Sequence, residues 1–137
     1  MKNPIVVFDR DVKTSEIRGL FKDCDGAALV INGQLIIDDV SEETLCCQKI
    51  YADGIDAYAN CELRVKGEIV SRANIVVCNM SVEGDIFCMA NMSSTRLDVI
   101  GDICVVGNFR AVKLRHVGEL YAKNTSVGWT PSRACFY

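Results

Sequence analysis

Val65-Lys66-Gly67-Glu68-Ile69, Val82-Glu83-Gly84-Asp85-Ile86, Val99-Ile100-Gly101-Asp102-Ile103 and His116-Val117-Gly118-Glu119-Leu120 follow one another at intervals of 17 residues. A fixed period of this kind is the mark of a repeat architecture and takes precedence over any local reading. Apolar columns keep the same register: Leu63, Met80, Leu97 and Leu114; Ile69, Ile86, Ile103 and Leu120; Val65, Val82 and Val99; Ile75, Met92 and Phe109. Extended backwards, the period aligns Leu29 and Cys46 with Leu63, Ile31 and Gln48 with Val65, Leu35 and Ala52 with Ile69, and Gly33 with Gly67. A polar column reads Asn74, Asn91, Asn108 and Thr125.

Within one rung the pattern is that of strands. Leu63, Val65, Gly67, Ile69 and Ser71 alternate with Arg64, Lys66, Glu68, Val70 and Arg72, which is a period of two and not of 3.6. Ala73-Asn74 and Cys78-Asn79 interrupt the alternation and turn corners. The fold expected is all-β: a single-stranded parallel β-helix, or β-solenoid, of about six rungs of 17 residues with two to three short strands per turn. Ile50 stands where the glycine column expects Gly, so the second rung is expected to be locally shifted. The inward glycines mark either a crowded core or a bend in the strand.

Three segments are distinguished. Residues 1–27 lie outside the repeat and are read as an N-terminal cap, with a strand at Ile5-Val6-Val7-Phe8. A short helix follows, capped by Thr14 or Ser15, with Ile17, Leu20 and Phe21 on one face. Residues 28–127 are the solenoid. Residues 128–137 form an aromatic tail, where Trp129, Phe136 and Tyr137 either cap the C-terminal end or join molecules. An open solenoid end exposes core and unpaired strand edges, so Ile17, Leu20, Phe21, Trp129, Phe136 and Tyr137 are the candidates for capping or end-to-end association.

Composition narrows the function. The 137 residues carry a net charge of −3 and 24% charged residues, and half are apolar. This is neither a disordered chain nor one with the basic footprint of direct nucleic-acid binding. No run approaches the length of a membrane span and no secretory signal is evident, so a cytoplasmic location is expected. The 8 cysteines and single histidine form no short-spaced zinc pattern, and no metal or cofactor is expected. Most of the cysteines occupy apolar columns and read as buried thiols; Cys61 and Cys78, one rung apart, are within reach of a disulfide. His116 continues a valine column and reads as a partly buried, hydrogen-bonded residue. No nucleophile–base pair stands out, and no enzyme activity is expected.

The outward columns carry what functional signal there is. Glu68, Asp85, Asp102 and Glu119 form an acidic ladder, and Val70, Phe87, Cys104 and Tyr121 form an apolar row beside it, with Ile36 in the same phase below. Like charges about 5 Å apart repel by roughly 0.8 kcal/mol per pair in water, which a surface tolerates, so the ladder can be purely structural. A contiguous exposed apolar row points instead to an interface. These eight residues are the candidate protein-binding face.

At Val65/Gly67/Glu68/Ile69, Val82/Gly84/Asp85/Ile86, Val99/Gly101/Asp102/Ile103 and, more weakly, Gly118/Glu119/Leu120, the chain resembles the bactofilins, the polymer-forming bacterial cytoskeletal proteins. The resemblance spans roughly residues 29–122. It implies a right-handed β-helix that assembles end to end without nucleotide and serves as a scaffold. The organised N-terminal segment and aromatic tail depart from the bare rod of that family. Two functions are therefore carried forward: a non-enzymatic structural protein that self-associates through its ends, or a compact capped solenoid that binds another protein as an inhibitor or adaptor, for instance one encoded by a phage or mobile element.

Overall fold

The computed structural model describes residues 5–17, 19, 26–40 and 43–129, with the backbone alone at Trp129. All its regular structure is strand, wound as a parallel β-solenoid of about six turns with rungs about 17 residues apart. The strands are β1 (Ile5–Phe8), β2 (Val12–Lys13), β3 (Ala28–Ile37), β4 (Thr44–Ala57), β5 (Glu62–Ser71), β6 (Ile75–Glu83), β7 (Ile86–Cys88), β8 (Met92–Ile100), β9 (Ile103–Val105), β10 (Asn108–Val117), β11 (Leu120–Tyr121) and β12 (Asn124–Trp129).

Pairing registers resolve three faces. Face A stacks the second half of β10 on the second halves of β8 and β6, then on the first halves of β5 and β4. Face B stacks β11 on β9, β7 and the end of β5, and continues through the middle of β4 and the start of β3 to β1. Face C stacks β12 on the first halves of β10, β8 and β6, then on the ends of β4 and β3, and finally on β2. Every pairing is parallel, as a helix of strands requires, so no hairpin is needed. Inward residues from all three faces fill one core, including Leu63, Val65, Ile69, Ile75, Met80, Ile86, Leu97, Ile103 and Phe109, each at most 2% exposed. Burial of each such side chain contributes about 1.5–3 kcal/mol.

From Val65 onward the columns are those expected: Leu63–Met80–Leu97–Leu114, Ile69–Ile86–Ile103–Leu120 and Ile75–Met92–Phe109 are all in register. Towards the N-terminus the extrapolated columns fail. Leu29 pairs with Ile50, and Ile50 with Ile69, so Leu29 belongs to the Ile69 column and not to that of Leu63. Leu45, not Gln48, pairs with Val65. Leu35 pairs with Ile55, which pairs with Ile75. The reason is local. Where later rungs place one glycine, the second rung places the two residues Cys47 and Gln48, because the register steps from Cys46/Lys66 to Lys49/Glu68. The extra residue is a bulge, which turns the corner without a glycine. Gly33 lies at a second irregularity, between Ile31 and Gln34, and is not part of the glycine column. At the other end Asn124, not Thr125, pairs with Asn108, so the last rung is one residue short at the corner between faces B and C.

At the N-terminal end the strand expected at Ile5–Phe8 is β1. β1 and β2 pair in parallel with β3, and so form a terminal rung of the solenoid itself. Thr14–Ile17 is a turn, in which the Glu16 and Ile17 amides donate to the carbonyls of Lys13 and Thr14; most of the helix expected after it lies outside the described residues. Ile17 is buried in the core at 2% exposure. Leu20, Phe21, Phe136 and Tyr137 and the side chain of Trp129, all named as capping candidates, lie outside the described residues, so no structural account of them follows.

Candidate functional site

The acidic ladder sits on the corner between faces A and B, where its first task is structural. The amide of Asp102 donates to Oδ1 of Asp85 at 2.9 Å, and the amide of Glu119 donates to Oδ1 of Asp102 at 2.9 Å. Each aspartate thus satisfies a backbone N–H of the rung above it, an interaction of the charge-assisted kind. The glycine before each acid makes this corner possible. Gly67, Gly84, Gly101 and Gly118 hold φ between +138° and +153°, a region L side chains rarely adopt. The corner between faces B and C has its own ladder, in which the amides of Asn91 and Asn108 donate to Oδ1 of Asn74 and Asn91 at 3.0 and 2.8 Å.

The apolar row has no such explanation. Val70, Phe87, Cys104 and Tyr121 are in register on the outside of face B. The row is longer than the sequence reading allowed: Tyr51 pairs with Val70, Val30 with Tyr51, and Val7 with Val30. Seven outward residues, none charged, therefore run the length of the rod. Ile36, read in the same phase, is instead on face C, paired with Asp56 and Lys13. Tyr121 and Val7 are the most exposed members, at 55% and 53%, and Met89 and Val106 add exposed apolar surface beside the row. The Tyr121 hydroxyl donates to Glu119, and the Lys49 ammonium lies 5.1 Å from the Tyr51 ring centroid. The Tyr51 side chain, with the Glu68 carboxylate 3.6 Å away, raises the Lys49 pKa above its ordinary value.

Face A offers a shallow groove of about 390 Å³ lined by Arg64, Ser81, Asp98, Arg115, Ile100 and Val117, among others. Asp98 and Arg115 are neighbours in one column, 4.0 Å apart, and the groove holds no thiol or imidazole. His116, partly buried, donates one hydrogen bond from Nε2 to the Gly101 carbonyl at 2.7 Å. Burial pushes the thiols of Cys61 and Cys88 above the ordinary cysteine range, away from the nucleophilic thiolate. Cys61 and Cys78, considered for a disulfide, are free thiols here. Among the described residues no group of three metal-ligating side chains is assembled, and no helix is long and apolar enough to cross a membrane.

What this geometry defines is a three-faced parallel β-solenoid with one apolar face. No protein-family model, curated protein or solved structure matches the chain.

Proposed function

We propose that the chain is a non-enzymatic, cytoplasmic structural protein that self-associates through the ends of its solenoid, as the likeness to bactofilins implies. The observation that carries this reading is that both terminal rungs present strands on the same two faces. At the N-terminal end β1 lies on face B and β2 on face C; at the C-terminal end β11 lies on face B and β12 on face C. Among the described residues each of these four strands pairs on one side only. A second copy stacked head to tail sets β11 against β1 and β12 against β2, continuing both faces in parallel. Such a contact is heterologous and does not close, so it builds a filament. Partner strands supply the backbone hydrogen bonds that an open edge lacks.

Face C supplies a test that leaves face B untouched. Lys13, Ile36, Asp56, Val76, Ser93, Arg110 and Ser126 form one outward column. Head-to-tail stacking brings Ser126 of one copy beside Lys13 of the next. Sedimentation velocity over a concentration series, with negative-stain images of the same samples, is expected to show filaments or an open ladder of species. Ser126→Lys, which opposes Lys13 with a like charge, is expected to shorten that ladder. A single species at every concentration would refute end stacking. The second reading, a compact adaptor or inhibitor that binds another protein, is favoured by the apolar row of face B alone.

A further inference from the structure

The apolar row is flanked on both sides by exposed residues, and the flanks are complementary. Two positions before each row residue lies the corner column, which contains Lys49, Glu68, Asp85, Asp102 and Glu119. Two positions after it lies a third column, Asp53, Arg72, Met89 and Val106, and in the shorter last rung Lys123 stands at the next position of the same corner, its amide donating to the Gly107 carbonyl. Three rungs carry charge on both flanks: Lys49 and Asp53 about Tyr51, Glu68 and Arg72 about Val70, and Glu119 and Lys123 about Tyr121. In all three the two flanks have opposite sign.

We propose that face B is the interface of a parallel homodimer, with a two-fold axis running along the rod. This deepens the self-association reading but uses a surface separate from the rod ends. Rotation about such an axis lays row on row at equal height. It brings the corner column of one copy over the third column of its partner, rung for rung. Each of the three doubly charged rungs then places opposite charges across the interface. Rods packed antiparallel with the row fully overlapped centre on the Val70 rung and set Glu68 against Glu68 and Arg72 against Arg72, while Asp85 meets Lys49. A slip of one rung places Lys49 opposite Arg72 and Glu68 opposite Asp53. The sign reversal between those two rungs therefore selects the register of the parallel pair, in which no flank charge meets its like.

The same charges also pair within one copy, Lys49 with Glu68 and Arg72 with Asp53, each at 3.6 Å. Dimerisation joins these two pairs into a square of alternating charge. Glu119 and Lys123 are not part of a vertical pair of this kind, and their opposite signs are accounted for by the interface. Seven rungs at about 4.8 Å and three columns of side chains give a face on the order of 500 Å² per copy. The total is at the lower limit for a specific interface, roughly 1,000 Å², so a concentration-dependent dimer is expected rather than an obligate one.

The two-fold axis gives a direct test, because it places Cys104, a free and partly exposed thiol, beside Cys104 of the second copy. The full chain, kept reduced and carrying Ser126→Lys to suppress end stacking, is treated with a short bis-maleimide, and the joined peptides are mapped. Cys104 joined to Cys104 is expected, lost on Phe87→Glu. Glu119→Lys is expected to weaken the dimer about fivefold, two rim pairs being reversed, and adding Lys123→Glu is expected to restore it. A monomer at all concentrations, with or without a foreign protein bound to face B, overturns the proposal. So do dimers joined only through other cysteines, or a charge swap that fails to restore association. Filaments formed by the natural sequence alongside any of those results would leave end stacking intact and remove only the lateral dimer; lateral dimers without filaments would do the reverse.

Discussion

Gly84 and Gly101 hold φ of +153° and +146°, and a Cβ built on them would stand 2.2 and 2.3 Å from the carbonyl oxygens of Gly67 and Gly84. Neither the conformation nor the space admits a side chain. Gly84→Ala or Gly101→Ala is expected to destabilise the fold by about 2–3 kcal/mol, read as a fall in the midpoint of urea unfolding. The aspartates that follow act through an oxygen acceptor. Asp102→Ala orphans the Glu119 amide and is expected to lower stability by about 1 kcal/mol, whereas Asp102→Asn keeps an acceptor and is expected to lose less. At the N-terminal end, Asp38 Oδ2 accepts from Ser15 Oγ at 2.6 Å, and its Oδ1 accepts from the Ser15 amide and from Thr14 Oγ1. Burial works to raise the Asp38 pKa, but these hydrogen bonds together outweigh it, and the carboxyl titrates below its usual range. A folded-state pKa below the unfolded value gives stability that is complete above about pH 4. That stability disappears as pH falls through the lower, folded value. Wild type is therefore expected to lose more stability than Asp38→Asn between about pH 4 and pH 2, measured by urea unfolding at each pH.

At the level of the strand, stability depends on neighbours above and below. The Asn ladder shows this. Asn91 Oδ1 accepts from the Asn108 amide while its own amide donates to Asn74. Asn91→Ala is expected to cost about 1 kcal/mol and to speed hydrogen exchange at Asn108, the amide left without its acceptor. The thiols report on the same strands. Cys88, wholly buried on face B, donates to the carbonyls of Ala73 and Asn91 at 3.4 Å each. Cys104, one rung above on the same face, points outward. In the native protein Cys104 is expected to react with a maleimide well before Cys88, with mass spectrometry of quenched samples as the readout.

Over the whole molecule, three faces have three characters. Faces A and C carry mixed polar, charged and apolar outward columns, and face B carries an uncharged row from Val7 to Tyr121. Head-to-tail stacking continues faces B and C, and lateral pairing covers face B alone. The two contacts together would give a doubled filament with face B enclosed and faces A and C outside. Salt is expected to separate them. Lateral association depends on rim charge and should weaken between 0.05 and 0.5 M salt, about the range over which screening shortens from roughly 14 to 4 Å; backbone pairing at the ends should change less. Turbidity and sedimentation across that range would show whether the species narrow to single filaments.

The sequence by itself determined the strand period, the parallel solenoid and the inward columns from Val65 onward, because every rung there repeats the same solution to the same packing problem. It also picked out Val70, Phe87, Cys104 and Tyr121 as an outward row. It could not show that the row begins at Val7 and passes through Val30 and Tyr51. The first rungs are longer, with two residues where the later ones have a glycine, and a period read by counting loses register at a bulge. Only pairing in three dimensions restores it. Tertiary structure alone also decided what the acidic ladder does. Asp85 and Asp102 brace the corner by accepting the amides of the next rung, a contact that counting along the chain does not reveal. The flanking charges gained meaning in the same way: Lys49 with Asp53 and Glu119 with Lys123 are four residues apart in the chain, but the strand carries them to opposite sides of one apolar face.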